Sequence, residues 1–505
     1  MTTVVVLVNQ RHVGIARDET VYMSAGERYA HWWLHGGAGG IEATWGGPMG
    51  GGNNPEHPPL VKTLAGLSHA ALHPLGVDEL TAFRFPSAAL HGACAWLVYA
   101  ITLELWGFAE AIVAALCLLL LPRALFHAGL DCFDAPIMTL WFATIYAYLR
   151  CLDGRRWPWQ VGVAFGLALA TKHTAVLLPF ALGAHYAYVW WRTKKHHPRV
   201  VLSIVVLGPA VLVALWPWLW LAPFAHVKAW LGFHANHVHY NYEYLGRNWN
   251  APRFPWHVAL VTTLFTVPTA TLAAAVTGVG AWVARSRSGP RDVRAPGVLL
   301  ALSAAASIGP FFLGTTPIFG AEKHWMPMLP TVCVAAGVGA VWAARRAAAV
   351  LPKLDERVAI AVVGAAIALA GASEVSVAEP YALTWYSAAA GGAPGGADLG
   401  MNRQFWGVAA RGVLPFIASQ PPGPVYSHDA SPAWGWYERL GLLPKGHPDS
   451  GHEEAGIAAS QLAIVIHEKH FNRHDYLIWK SYGTVQPVFV LTTSGVPIVS
   501  VYRRP

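Results

Sequence analysis

An α-helical protein that crosses the bilayer many times, with a small mixed α/β domain after its last crossing, is the fold class the sequence predicts. Three observations predict it. Of the 505 residues, 54% are hydrophobic and only 12% charged, a balance that an ordinary soluble chain of this length does not show. The apolar residues gather in runs of roughly 18 to 22, about what a helix needs to cross ~30 Å of hydrocarbon. The basic residues sit in short links between those runs, at Arg150/Arg155/Arg156, Arg192/Lys194/Lys195/Arg199, Arg285/Arg287/Arg291/Arg294 and Arg345/Arg346/Lys353/Arg357. Such links stay in the cytoplasm, and this clustering, rather than a phosphate-reading patch, accounts for the net charge of +8. Nucleic acid is therefore not an expected partner.

Hydropathy and loop charge together give about eleven spans. They lie near 1–16, 82–104, 107–126, 133–149, 158–171, 173–191, 200–221, 256–284, 297–314, 325–344 and 358–377. The first is incomplete: Thr2 to Val8 is too short for a secretory signal and is followed by Asn9, Gln10, Arg11 and His12. It is expected to be the remnant of a longer transmembrane helix. With the N-terminus inside, all four basic links fall on the cytoplasmic side. The other side receives Asp18, the segment 36–80, the Asp131/Asp134 loop, Lys172, the aromatic loop 222–255, Glu322 to His324 and the C-terminus. The 5 cysteines, Cys94, Cys117, Cys132, Cys151 and Cys333, are odd in number and lie in or beside apolar runs, so no disulfide framework is expected.

After Pro380 the chain has ordinary polarity and strand signals such as QLAIVIHE and PVFVLTTSGVPIVSVYRRP. Residues 1–380 are read as the transmembrane domain and 381–505 as a small extracytoplasmic α/β domain.

The residues suited to chemistry gather at the outer ends of the spans. Arg17-Asp18-Glu19-Thr20-Val21-Tyr22 opens an amphipathic segment just past the first span. Acids at the mouth of a membrane helix require work or partners, although a plain helix cap accounts for them equally well. In Glu56-His57-Pro58-Pro59-Leu60-Val61-Lys62 two prolines fix the chain, and His57 or Lys62 could meet a lipid phosphate. The loop from Phe126 to Pro136 carries Asp131 and Asp134, the latter also placed to cap a helix at Pro136. Lys172 and His173 interrupt an apolar stretch, and a buried lysine needs an anionic partner. His234, His237 and His239 have metal-ligand spacing, but their Trp/Tyr-rich loop also fits an interfacial belt.

These motifs, R-D-E-x-x-Y, H-P-P-L-x-K, H-x-G-x-D-x-x-D-A-P and G-L-A-L-A-T-K, resemble in order those of the GT-C glycosyltransferases. The likeness is to the group that contains protein O-mannosyltransferases and lipid A aminoarabinose transferases. Pro380-Tyr381-Ala382-Leu383-Thr384-Trp385-Tyr386-Ser387, then Gly391-Gly392 and Phe405-Trp406-Gly407, resemble the family's passage after the last span. The resemblance implies that Asp18 is the first-loop catalytic aspartate, with Glu19 in a supporting role. It implies that Asp131 or Asp134 is the second-loop acid, and that His57, Lys62, Lys172 and His324 are candidates for the donor phosphate. Val21 departs from the aminoarabinose transferases, which carry Arg there, and so argues against that donor.

The implied function is transfer of a hexose-type sugar from a polyprenyl-phosphate donor to a protein, lipid or glycan acceptor outside the cytoplasm, with inversion. A base must take the acceptor proton and cations must meet the departing phosphate. Beyond the lipid-linked donor no cofactor is demanded; a divalent metal is left open. The alternatives are a polytopic transporter or flippase, which would place charges nearer the bilayer midplane, and an inactive relative with a binding role.

Overall fold

The computed structural model describes residues 1–153, 157–288, 292–451 and 453–505, without the side chains of 285–288. Arg155, Arg156 and Arg291 of the expected basic links lie outside the described residues, as do the side chains of Arg285 and Arg287.

Among the described residues, 5 helices are long and apolar enough to cross a membrane: Glu79–Leu105, Pro198–Leu215, Pro296–Leu313, Met326–Val350 and Glu356–Ala378. Two bent pairs raise the number to 7 if each is one span: Phe108–Leu119 with Pro122–Ala128, bent by 67°, and Val258–Thr266 with Thr269–Ala284, bent by 119°. The chain is thus a multi-pass membrane protein. The number differs from the eleven expected because mean hydropathy does not register helix length or breaks. Thr2–Asn9 has 8 residues and Trp159–Leu169 has 11. Leu178–Thr193, with 16 residues, reaches only about 24 Å at 1.5 Å per residue. Both bends coincide with prolines, Pro122 and Pro268, which cannot donate the backbone bond a continuous helix needs.

Inside the bundle, small residues let backbones meet. A Cβ on Gly278 would lie 1.9 Å from the Ala335 carbonyl oxygen, and one on Gly339 would lie 1.9 Å from that of Ala274. In lipid, where apolar burial does not drive helix association, such close backbone approach supplies the packing attraction. Three of the basic links meet at one end. There Glu104 accepts from Arg150 at 2.9 Å and Arg294 at 2.8 Å, and Glu110 pairs with Arg345 at 2.7 Å. Glu104 is near the C-terminus of the Glu79–Leu105 helix. The opposite end of that helix carries Arg84 and faces the segment around Asp18.

The residues past 380 cover that second end. Their sheet has the order β3-β4-β6-β5, with β3 (Val425–Tyr426), β4 (Leu462–Ile466), β5 (Phe489–Thr493) and β6 (Val496–Arg503). Only the β3–β4 pair is parallel. Earlier in the chain, β1 (Tyr242–Tyr244) and β2 (Arg247–Trp249) form a hairpin in the aromatic loop. The sheet does not have a core of its own on the bundle side. Ile15, Met23, Ala65, Leu80 and Phe83 pack into the same cluster as Val413, Trp434, Ile464, Ile498 and Val501. The Ile15 N–H donates to the Tyr437 hydroxyl at 3.0 Å, and Arg411 donates to the Val13 carbonyl at 2.9 Å.

Candidate functional site

The helix Arg17–Leu34 begins with Ala16 as its N-cap, an apolar side chain that cannot accept a bond from the first turn. Glu19 makes up for this by accepting the Ala16 N–H at 2.9 Å. The capping work suggested for the acidic pair thus falls to Glu19, and Asp18 turns the other way. One residue is about 100° of helix rotation, enough to send adjacent carboxylates to opposite sides.

Asp18 faces a cavity of about 510 Å³ at the covered end of the bundle. Its Oδ2 accepts from Trp406 Nε1 at 2.9 Å, and its Oδ1 lies 3.6 Å from the Arg17 guanidinium. Arg17 is held more closely by Asp429 of the C-terminal sheet region, at 2.9 Å. Trp406 is itself tied back, its carbonyl accepting the Arg17 N–H at 2.9 Å. The carboxylate is therefore clamped between the first-loop helix and the segment past 380, with 30% of its side chain still accessible.

Of the residues expected from sequence, Asp18, Asp134, His57, Lys172 and His324 line this cavity. Lys172 donates to Asp134 at 2.6 Å, so the anionic partner expected for that lysine is the second-loop acid. His57 packs among aromatic rings, 4.8 Å from Phe133 and 5.4 Å from His234 between centroids. Burial pushes its pKa well below the ordinary histidine value, helped by His234 and the nearby lysines. His324 donates from Nε2 to the Phe319 carbonyl, and burial holds it well below the usual value too. Both rings are neutral at pH 7; His57 can offer its N–H to a phosphate, whereas the single N–H of His324 is already given to the Phe319 carbonyl.

Glu19, Asp131 and Lys62 stand behind the cavity wall. Glu19 is fully buried, with Arg84 donating to both its oxygens at 2.8 Å, and it accepts the Asp131 N–H at 2.8 Å. It thereby ties the first loop, the second loop and the Glu79–Leu105 helix at one point. Neither oxygen of the buried Asp131 carboxyl meets a hydrogen-bond partner among the described residues. Burial, then the neighbouring Glu19, raise its pKa well above the usual carboxylate range and favour the neutral acid. Lys62 donates to the Asn54 carbonyl, the Asn54 Oδ1 and the His57 carbonyl, each at 2.8 Å. Burial brings its pKa down to about 7, against the opposing pull of Glu56. Its visible work is to hold the loop that presents His57. That loop is close to Asp18 because two glycines let the helices Arg17–Leu34 and Leu60–Leu72 touch: a Cβ on Gly66 would lie 1.9 Å from the Gly26 carbonyl oxygen.

The sequence reading passed over three further residues of the cavity wall. Arg17 and Trp406 hold Asp18. Lys323, buried at 4% exposure, has its ammonium over the Trp406 ring at 3.8 Å, with Phe319 at 5.0 Å and Phe405 at 5.6 Å. Arg17 and Trp406 stand inside quoted motifs, so position beside Asp18 and a tryptophan in a largely polar segment were the available signals. Nothing local marks Lys323 apart from His324.

His234 and His237 also line the cavity, whereas His239 lies beside Phe254. His234 donates to the Glu56 carbonyl at 2.8 Å and stacks on His173 with centroids 3.7 Å apart. Burial brings its pKa to about 4. The three spaced histidines do not converge into a metal-type group. The group that does so among the described residues, Glu27, His69 and Glu79, lies away from the cavity, and Arg439 already pairs with both of its acids.

Comparison with known proteins finds one family match and several similar folds. Residues 56–220 match the family model described as dolichyl-phosphate-mannose-protein mannosyltransferase. Across 99% of this chain and 96% of the other, the fold is similar to that of ArnT from Cupriavidus metallidurans in the apo state, with a TM-score of 0.54 and 14% identity. The same protein bound to undecaprenyl phosphate gives 0.54 and 15%. The Archaeoglobus fulgidus oligosaccharyltransferase in the apo form is similar over 96% of this chain and 71% of that one, with a TM-score of 0.52 and 12% identity. No curated protein matches the chain by sequence. The fold over nearly the whole chain is thus similar to that of ArnT and of the oligosaccharyltransferase, and the family match falls on residues 56–220 within it.

Proposed function

We propose that the protein transfers a hexose-type sugar from a polyprenyl-phosphate carrier to a hydroxyl of a protein, lipid or surface glycan outside the cytoplasm. The observation that carries this reading is the set of charges in the cavity: a clamped but accessible Asp18 shares one chamber with Lys172–Asp134 and Lys323. Solved relatives with a polyprenyl phosphate bound support the donor class.

Asp18 acts as the general base. The acceptor hydroxyl gives its proton to the Asp18 carboxylate as its oxygen forms a bond to C1 of the sugar. The bond from C1 to the phosphate oxygen breaks, and its electron pair leaves with the polyprenyl phosphate. Attack from the face opposite the phosphate inverts the anomeric centre. Trp406 and Arg17 fix the direction of the carboxylate, so little reorganisation is needed during the step. His57 offers a neutral hydrogen bond on the phosphate side, His324 braces the Phe319 loop through its N–H, and Lys172 with Asp134 orders the second loop. Lys62 acts through the position of His57, and Glu19 through that of Asp18. Residues 381–505 form an extracytoplasmic cover over the transmembrane part, residues 1–380. The gathering of the links of Arg150, Arg294 and Arg345 at the end away from the cavity supports that orientation.

The test is transfer by the purified protein from radiolabelled undecaprenyl-phosphate hexoses to cell-envelope acceptors, with Asp18→Asn beside the unaltered protein. Transfer that depends on Asp18 supports the reading; no transfer from any polyprenyl-phosphate hexose overturns it.

A further inference from the structure

The positive charges near the cavity are not equally available to a ligand. Lys62 is turned away from it and satisfied by three oxygens. Arg17 is shared between Asp18 and Asp429. Lys172 is neutralised by Asp134 at 2.6 Å. His57 and His324 are held neutral. Lys323 alone among the lining cations has no hydrogen bond or ion pair from its Nζ to any described residue; three ring faces lie against it, while Asp134 and Asp18 act on it only from beyond ion-pair distance.

A nearly buried ammonium with no carboxylate in contact is costly, because cation–π contacts restore only a small part of its lost hydration. Such a site holds its charge ready for an anion that arrives later. Its geometry ties it to the reacting centre: the Trp406 ring under the Lys323 ammonium is the ring whose Nε1 donates to Asp18. One indole thus separates the base from the free cation.

We infer that Lys323 is the principal cation for the donor phosphate, binding its oxygens on arrival and meeting the charge that collects there as the bond to C1 breaks. This rests on the donor reading above and differs from the phosphate set expected from sequence, in which Lys323 had no place. The aromatic faces of Phe319, Phe405 and Trp406 hold the ammonium without neutralising it, where a carboxylate would compete with the phosphate. In transfer, the acceptor proton goes to Asp18 and the electron pair of the broken bond goes to the phosphate oxygen facing Lys323.

The experiment compares binding of undecaprenyl phosphate and of uncharged undecaprenol to the full-length protein in nanodiscs. The unaltered protein and Asp18→Asn should both prefer the phosphate. Lys323→Met, which keeps the stem over the rings, should lose most of that preference, on the order of 10-fold to 10²-fold, while undecaprenol binding stays unchanged. Lys323→Arg should keep it in large part. A preference retained by Lys323→Met overturns the inference and leaves the donor reading standing; no preference in the unaltered protein overturns both. A structural role would weaken both lipids equally, which also counts against the inference. Should Lys323→Met fail to fold, reductive methylation of the unaltered protein decides: Lys323 must be protected by undecaprenyl phosphate and not by undecaprenol.

Discussion

Two groups of charge lie back to back at the covered end of the bundle, and they are built on opposite principles. Behind the wall, Glu19, Arg84 and the Asp131 N–H satisfy one another at hydrogen-bond distance, with Glu19 and Arg84 fully buried. In front of it, Asp18 keeps part of its surface open and Lys323 makes no ion pair at contact distance among the described residues. A buried charge that is fully paired holds position, whereas an incompletely paired one is reactive. Adjacent positions in one helical turn supply both kinds.

The largest effect should come from breaking the rear group. Arg84→Met leaves the Glu19 charge buried without compensation, a loss of about 3 to 5 kcal/mol. Detergent-solubilised protein should then be scarce and unfold at markedly lower temperature. Adding Glu19→Gln should recover part of that loss, and a double variant no better than Arg84→Met would show that the two charges are not coupled.

On the cavity side, Asp18→Asn should lower transfer by roughly 10² to 10⁴ with normal folding and insertion. Near-normal transfer would remove the base. Trp406→Phe keeps a ring under Lys323 but deletes the Nε1 donor to Asp18. A hydrogen bond to a charged group contributes about 1.5 to 3 kcal/mol, so a decrease in turnover of about 10-fold to 10²-fold is expected with donor binding little changed. A shift confined to donor binding would assign the indole to the cation instead.

The smallest effect is on pH dependence. His234 has a folded pKa of about 4 against the ordinary histidine value of 6.5, so the unfolded chain takes up its proton first on acidification. Its contribution to stability is complete above about pH 6.5 and declines between there and about pH 4. His234→Phe should flatten that acid limb in thermal unfolding without altering the curve above pH 7; an unchanged limb would assign the acid sensitivity elsewhere.

Much of the cavity face was legible because its residues stand in short polar motifs between apolar runs, as Asp18, His57, Asp134, Lys172 and His324 each do. Their partners were not. The role of Glu19 depends on Arg84, which sits inside a span and is separated from it by 65 residues. The distinct character of Lys323 depends on Phe405 and Trp406, which arrive from beyond the last span. Hydropathy located apolar segments well but not their lengths or bends, since the 119° turn between Thr266 and Thr269 leaves mean hydropathy almost unchanged. The expected boundary at residue 380 follows composition. The hydrophobic contacts run across it.

That shared core bears on how such a protein could change its acceptor. Because Ile15 and Met23 are packed among residues of the final sheet, and Tyr437 receives the Ile15 N–H, the closing segment cannot be exchanged for another like a detachable cassette. A foreign replacement would strip the support from the helix that bears Asp18. New acceptor preferences would have to arise by gradual change on the rim, with the inner face of the cover kept nearly constant.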